Sequence, residues 1–278
     1  MDRTYLPWMD RAGRFSRLRA AVFAAMAAPA CWILFALATD RLGAEPFDAV
    51  THLTGIWTLW FLLAALAVTP LRRLLGWGRL IGVRRLIGLG AFAYAAGHFS
   101  LYILSQNGDL AKVASEIAAR IYLAVGFVTL LGLGALAATS FDRAIRRMGA
   151  GWRRLHRLAY PLTALGVLHF FMQAKIDVAA PSLLFGIWAG LMLHRAFARS
   201  GAPAALLVVG AAIAGGAATA GSEYLWHLTM SGLPAGRIFA ANFDFSYEIR
   251  PLWWAMAILA APLPLLAPKW IRPALARS

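Results

Sequence analysis

Eight apolar blocks, each about 17 to 20 residues long, run through this chain, and they restrict it to one kind of architecture. A block of that length crosses about 30 Å of hydrocarbon as a helix rising 1.5 Å per residue. The blocks fall at about 20–38, 51–69, 86–105, 121–139, 158–174, 180–197, 203–221 and 251–268. Inside lipid only helices and closed barrels satisfy every backbone polar group, and the blocks lack the apolar/polar alternation of barrel strands. The expected fold is therefore all-α, a polytopic transmembrane helix bundle of about eight spans. Arginines precede the first block, as they would a cleaved signal. Its apolar run is long for one, and "APAC" around Cys31 is a poor cleavage or lipoprotein site, so it reads as a retained span.

Composition agrees, with 61% hydrophobic and 14% charged residues. The net charge of +15 would suggest nucleic acid in a soluble protein, but its distribution argues otherwise. If the spans alternate, 21 of the 27 lysines and arginines share one side. They are Arg3, Arg11, Arg14, Arg17 and Arg19 at the N-terminus, and Arg72, Arg73, Arg79, Arg84 and Arg85 around the 70–85 loop. Six arginines of the 141–157 loop follow, then Arg195 and Arg199, then Lys269, Arg272 and Arg277. Nine of the twelve acids lie on the other side. This is the positive-inside pattern, and it places both termini in the cytoplasm. The basic charge sets topology in lipid; it is not a nucleic-acid footprint.

The single cysteine, Cys31, excludes a disulfide framework, a cysteine-rich iron–sulfur site and a C-x-x-C-H haem attachment. No phosphate-binding glycine loop is present. "GLGALA" (132–137) and "GAAIAGGAATAG" (210–221) lie within apolar blocks and read as helix-packing surfaces.

Histidines inside spans are the strongest functional signal, because ionisable groups in hydrocarbon are costly. The third and fifth spans both run from inside to outside. His98 lies twelve residues into the third, about 18 Å deep, and His169 thirteen into the fifth, about 19–20 Å deep. Two imidazoles at one depth on parallel helices suit the axial clamping of one haem iron. A lone intramembrane histidine is more often a hydrogen-bonding group, but matched depth favours ligation, and no acid accompanies either residue as a zinc site would require. His156 sits at the inner edge of the fifth span, about 20 Å below His169 and, on an unbroken helix, about 140° round from it. It would serve a second, inner haem. The matching depth on the third span falls on Arg84 or Arg85, which suit haem propionates better than iron. His52 is a candidate for a quinone or cofactor site or a helix cap, His194 reads as interfacial, and His227 carries no assigned role.

"RRLIGLGAFAYAAGHFSLY" (84–102), "TSFDRAIRRMGAGWRRLHRLAY" (139–160), "LHFFMQAKID" (168–177) and "HLTGIW…LAVTPLRR" (52–73) resemble the ferric reductase-like transmembrane family. They are most similar to its MsrQ (YedZ) branch of haem-binding membrane subunits of periplasmic methionine sulfoxide reductase systems. The resemblance implies a six-helix core over 20–197 after a basic cytoplasmic segment, 1–19, with His98, His156 and His169 as haem-linked residues. It also implies one or two b-type haems, an associated FMN, and electrons drawn from the quinone pool or a cytosolic flavin reductase. The acceptor would be a periplasmic molybdopterin subunit that performs the catalysis. Residues 198–278 extend beyond that pattern with two expected spans and an aromatic outer segment, 222–250. Two other readings stay open: a related haem protein reducing ferric iron or another small oxidant directly, and a non-redox transporter or scaffold.

Overall fold

The computed structural model describes residues 6–10, 12–246 and 248–266. Arg3, Arg11, Lys269, Arg272 and Arg277, which contribute to the charge asymmetry, lie outside the described residues, as do the last two positions of the 251–268 block. The chain is all-helical, and among the described residues no β-strand occurs, only an isolated bridge between Met9 and Phe15. Among the described residues the α-helices are, in order, α1 (Arg17–Ala38), α2 (Pro46–Leu75), α3 (Arg84–Ser105), α4 (Leu110–Ala119), α5 (Ile121–Ala138), α6 (Asp142–Met148), α7 (Ala150–Leu155), α8 (Ala159–Ala174), α9 (Ala179–Phe197), α10 (Ala204–Trp226), α11 (Ala235–Ala241) and α12 (Pro251–Ala260), with a further helical turn at 263–266.

Five helical stretches, Arg17–Ala38, Pro46–Leu75, Gly78–Ser105, Ile121–Ala138 and Ala204–Ser231, are long and apolar enough to cross a membrane. The chain is a multi-pass membrane protein. The other three expected spans coincide with α8, α9 and α12, of 16, 19 and 10 residues. Four short helices, α4, α6, α7 and α11, occupy segments between the apolar blocks. Of these, α4 is capped at its N-terminus by Asp109, whose carboxylate accepts the Lys112 N–H at 2.9 Å.

The chain divides into two compact units, one of Met1–Val68 and Arg79–Gly166, the other of Thr69–Gly78 and Val167–Ser278. In the first, the Tyr94 hydroxyl of α3 donates to the Met26 carbonyl of α1 at 2.8 Å. Pro29, inside α1, cannot donate to the residue 25 carbonyl, so a side-chain donor one residue further along meets a backbone already short of one bond. The Tyr94 ring meets Phe61 of α2 edge to face, 5.0 Å between centroids. The "GLGALA" segment packs as expected, since a Cβ at Gly132 would lie 2.5 Å from Leu162 Cδ2 on α8.

In the second unit α9 and α10 touch backbone to backbone. A Cβ on Gly186 would overlap Thr219 and lie 2.5 Å from the Gly215 carbonyl oxygen, and one on Gly190 would lie 2.6 Å from the Ala211 oxygen. Small residues four apart on both helices make this approach possible, and lipid association rewards it through dispersion contacts. Further along α10, buried Glu223 pairs with Arg250 at the start of α12 at 2.5 Å, and Arg250 also reaches Glu248 at 2.9 Å. The indole of Trp253 donates to the Asn242 carbonyl at 2.7 Å. The segment between α10 and α12 is thus pinned to the helices that flank it, while Phe243 and Phe245 are exposed. At the opposite end, Leu74, Val208 and Leu266 form a small apolar cluster.

Replacing Gly186 with Leu is expected to lower the stability of the detergent-solubilised protein by about 1–3 kcal/mol, since neither backbone has room to yield. Gly210→Leu on the same helix pair, where nothing lies within 4 Å, is expected to change it by no more than about 0.5 kcal/mol. Thermal unfolding of both variants reads the difference.

Candidate functional site

His98 occupies the C-terminal half of α3. Its Nδ1 lies 2.7 Å from the Thr51 carbonyl oxygen of α2. A carbonyl has no proton to give, so Nδ1–H is the donor and the imidazole carries its lone pair on Nε2. Metal-ligating histidines are commonly held this way, with one ring nitrogen tied to a carbonyl so that the other is fixed for the metal. The approach depends on Gly55, one turn beyond Thr51 on the same face of α2: a Cβ there would sit 3.1 Å from both Cε1 and Nδ1 of His98. "THLTG" therefore supplies the carbonyl and the gap. Sequence reasoning singled out His52 from this segment and passed over Thr51 and Gly55. Their spacing of four was the available signal.

His156 is organised differently. A 3₁₀ turn, His156–Leu158, separates α7 from α8, whose range agrees with the expected fifth span at about 158–174. Pro161 explains the break, because it has no N–H for the Arg157 carbonyl and its ring crowds that group. The expected 140° offset from His169 assumed α-helical geometry throughout, so the 3₁₀ turn removes its basis. The His156 ring stacks on Trp152 of the preceding turn at 4.0 Å between centroids. The Trp152 indole N–H donates to the Thr139 carbonyl at 2.9 Å, satisfying an orphan acceptor at the end of α5. The Thr139 hydroxyl lies 2.8 Å from the Ala135 oxygen and 3.1 Å from His156 Nε2. With one proton and a carbonyl at the shorter distance, the hydroxyl donates to Ala135 and accepts from Nε2–H. Thr139 thus joins the site without having been anticipated; its signal is its place as the C-cap of α5.

Burial, and after it the charge of Arg84, hold His156 below the usual imidazole range and keep it neutral. Arg84, at the start of α3, is therefore near His156, and fourteen residues of helix place it about 21 Å from the level of His98. Arg85 is committed elsewhere, with Nη1 2.5 Å from Asp142 Oδ1 of α6. His169, half-buried on α8, belongs to the second unit, whereas the other four site residues belong to the first. His227 is buried, its Nδ1 2.7 Å from the Ser231 hydroxyl. His194, expected at an interface, is 7% exposed.

Haem iron takes neutral imidazole, and the chemistry of these donors can be compared with that need. At His98 the bond from Nδ1–H to the Thr51 carbonyl places the proton on Nδ1. At His156 the Nε2 is held by Thr139, so iron would be met by Nδ1, or by Nε2 only after that hydrogen bond is given up. The two histidines are thus not equivalent stations. Trp152→Phe, which keeps a ring on His156 but loses the bond to Thr139, is expected to cost about 1 kcal/mol. Trp152→Ala is expected to cost more by removing the stack as well. Thermal unfolding of the two variants measures the difference.

A family model described as ferric reductase like transmembrane component matches residues 53–167, a stretch containing His98 and His156. The protein-methionine-sulfoxide reductase haem-binding subunit MsrQ of Xanthomonas campestris is 40% identical over 201 residues, covering 66% of this chain and 92% of its own. Its counterpart in Rhodospirillum rubrum is 42% identical over 186 residues, 66% of this chain and 86% of its own. That of Xanthomonas oryzae is 43% identical over 167 residues, 60% and 77% respectively. No solved structure matches. With identity at this level across most of each relative's length, the chain belongs to the MsrQ family of ferric reductase-like transmembrane proteins.

Proposed function

We propose that this chain is the haem-binding, electron-transfer membrane subunit of a methionine sulfoxide reductase system, serving a separate catalytic subunit rather than reducing sulfoxide itself. The observation that carries the reading is the 40% identity extending over 92% of the Xanthomonas campestris haem-binding subunit. The Nδ1–H bond from His98 to Thr51 supports it, since it selects the tautomer that ligates through Nε2.

A b-type haem supplies one-electron redox chemistry; the protein's part is ligation, orientation and environment. In this reading His98 and His169 are the axial ligands, on the ground of their matched depth in the sequence. Thr51 and Gly55 fix the ring plane of His98. Arg84 offers a guanidinium for a propionate at the inner level, where His156 is the ligand of a second haem if two are bound; Arg85 would have to share its charge with Asp142. The excess of arginine on one side of the spans supports an inner-membrane location with both termini in the cytoplasm. The donor is then the quinone pool or a cytosolic flavin reductase, and the acceptor a periplasmic molybdopterin subunit. FMN enters through the family likeness alone, with no residues assigned to it.

The test is quinol-driven reduction of an oxidised protein by membranes containing the chain and the catalytic subunit. His98→Ala and His169→Ala are expected to abolish it. Gly55→Leu is expected to lower haem occupancy by about tenfold, the usual scale of disturbing a ligand's supporting partner. Full haem content in both histidine variants would refute the ligand assignment. Reduction of ferric citrate by the purified chain, with no dependence on a catalytic subunit, would favour the direct reductase instead.

A further inference from the structure

A second group of polar side chains, outside the haem-linked set, lies wholly within the second unit at the arginine-bearing end of α2 and α9. His194 is 7% exposed, and neither of its ring nitrogens has a hydrogen-bond partner. One of those nitrogens carries a proton in any neutral imidazole, so a donor is buried without an acceptor. The ring lies within electrostatic reach of Arg195 on its own helix and of Arg73 on α2. One residue before Arg73, the Nε–H of Arg72 is also buried without a partner, and one turn earlier so is the Thr69 hydroxyl.

The charge balance is one-sided. No Asp or Glu occurs in 69–78 or in 178–222, and the flanking acids, Asp177 and Glu223, stand at the far ends of α9 and α10. From Asp177 to His194 is about 25 Å of helix. The first turn of α10 brings its unsatisfied N–H groups to the same end, its N-cap Pro203 making no side-chain cap bond. Buried donors beside the guanidinium groups of Arg72 and Arg73, in segments that hold no Asp or Glu, together ask for an anion. The setting says what kind: α2 is long and apolar enough to cross a membrane, and at its end the anion at hand is a lipid headgroup, with a hydrocarbon portion beside its charge.

We infer that Thr69, Arg72, Arg73, His194 and Arg195 form a binding site for the phosphate of an anionic phospholipid headgroup. Arginine suits it because its fork matches phosphate oxygens, and basic recesses among membrane helices are places where such headgroups lodge. The bound lipid would neutralise this end of the bundle and supply acceptors to the buried donors.

The experiment titrates phosphatidylglycerol into the full chain in neutral detergent micelles and follows the thermal midpoint, which rises as a ligand binds the folded state. Saturable stabilisation is expected from phosphatidylglycerol and not from diacylglycerol, phosphatidylcholine or inorganic phosphate. Arg73→Gln, at an exposed position, is expected to weaken the apparent affinity about tenfold, the scale of one hydrogen bond to a charged group. Arg146→Gln, exposed on α6, is expected to leave it unchanged. His194→Gln should weaken binding as well, but the arginine variants decide the matter even if it fails to fold. Equal weakening by Arg146→Gln would reduce the effect to general surface charge and overturn the site. Wild-type affinity in Arg73→Gln would overturn it too. Equal stabilisation by inorganic phosphate would replace the lipid with a free anion.

Discussion

Hydrocarbon offers no partner to a polar group, and that constraint governs both the fold and its chemistry. It forces the backbone into helices, whose hydrogen bonds are internal, and leaves each buried side-chain N–H to find an acceptor of its own. His98 finds one in a carbonyl on the neighbouring helix, Thr51. The same bond decides which nitrogen bears the lone pair, so a structural requirement of the membrane sets the ligating tautomer. Gly55 is the geometric condition for it. In the first unit, the packing of α2 against α3 and the tautomer of His98 are one fact viewed twice.

His156 shows the same logic with a different outcome. At the edge of the span it has a hydroxyl, an indole and an arginine for company, and its Nε2 is used to bind α5 to the start of α8. In the second unit the close approach of α9 and α10 and the Glu223–Arg250 pair secure the C-terminal helices. The match to the family model ends at residue 167, so these features belong to a part of the chain that the model does not describe.

The helical class and the location of the spans were legible because a 20-residue apolar block has few other uses in a chain. His98 and His156 were legible because imidazole is conspicuous there. What could not be read was which neighbour each ring meets: Thr51 offers a backbone atom, invisible in any side-chain pattern, and Gly55 contributes by an absence. Pro161 was a visible signal for the 3₁₀ turn ahead of the fifth span and was passed over because the apolar run continues across it. The burial of His194 was not legible, because it comes from packing within the second unit, which its place beside Arg195 in sequence does not reveal. The Glu223–Arg250 pair joins residues 27 apart, a distance at which charge patterning carries no information.

The central claim is that the chain holds haem through these neutral imidazoles, and a dithionite-reduced-minus-oxidised spectrum of the purified protein, with haem counted per polypeptide, tests it most directly. A low-spin b-type spectrum with at least one haem per chain is the expected result. Protein purified without haem from cells able to supply it would contradict the claim and leave the histidines as packing groups of a membrane scaffold.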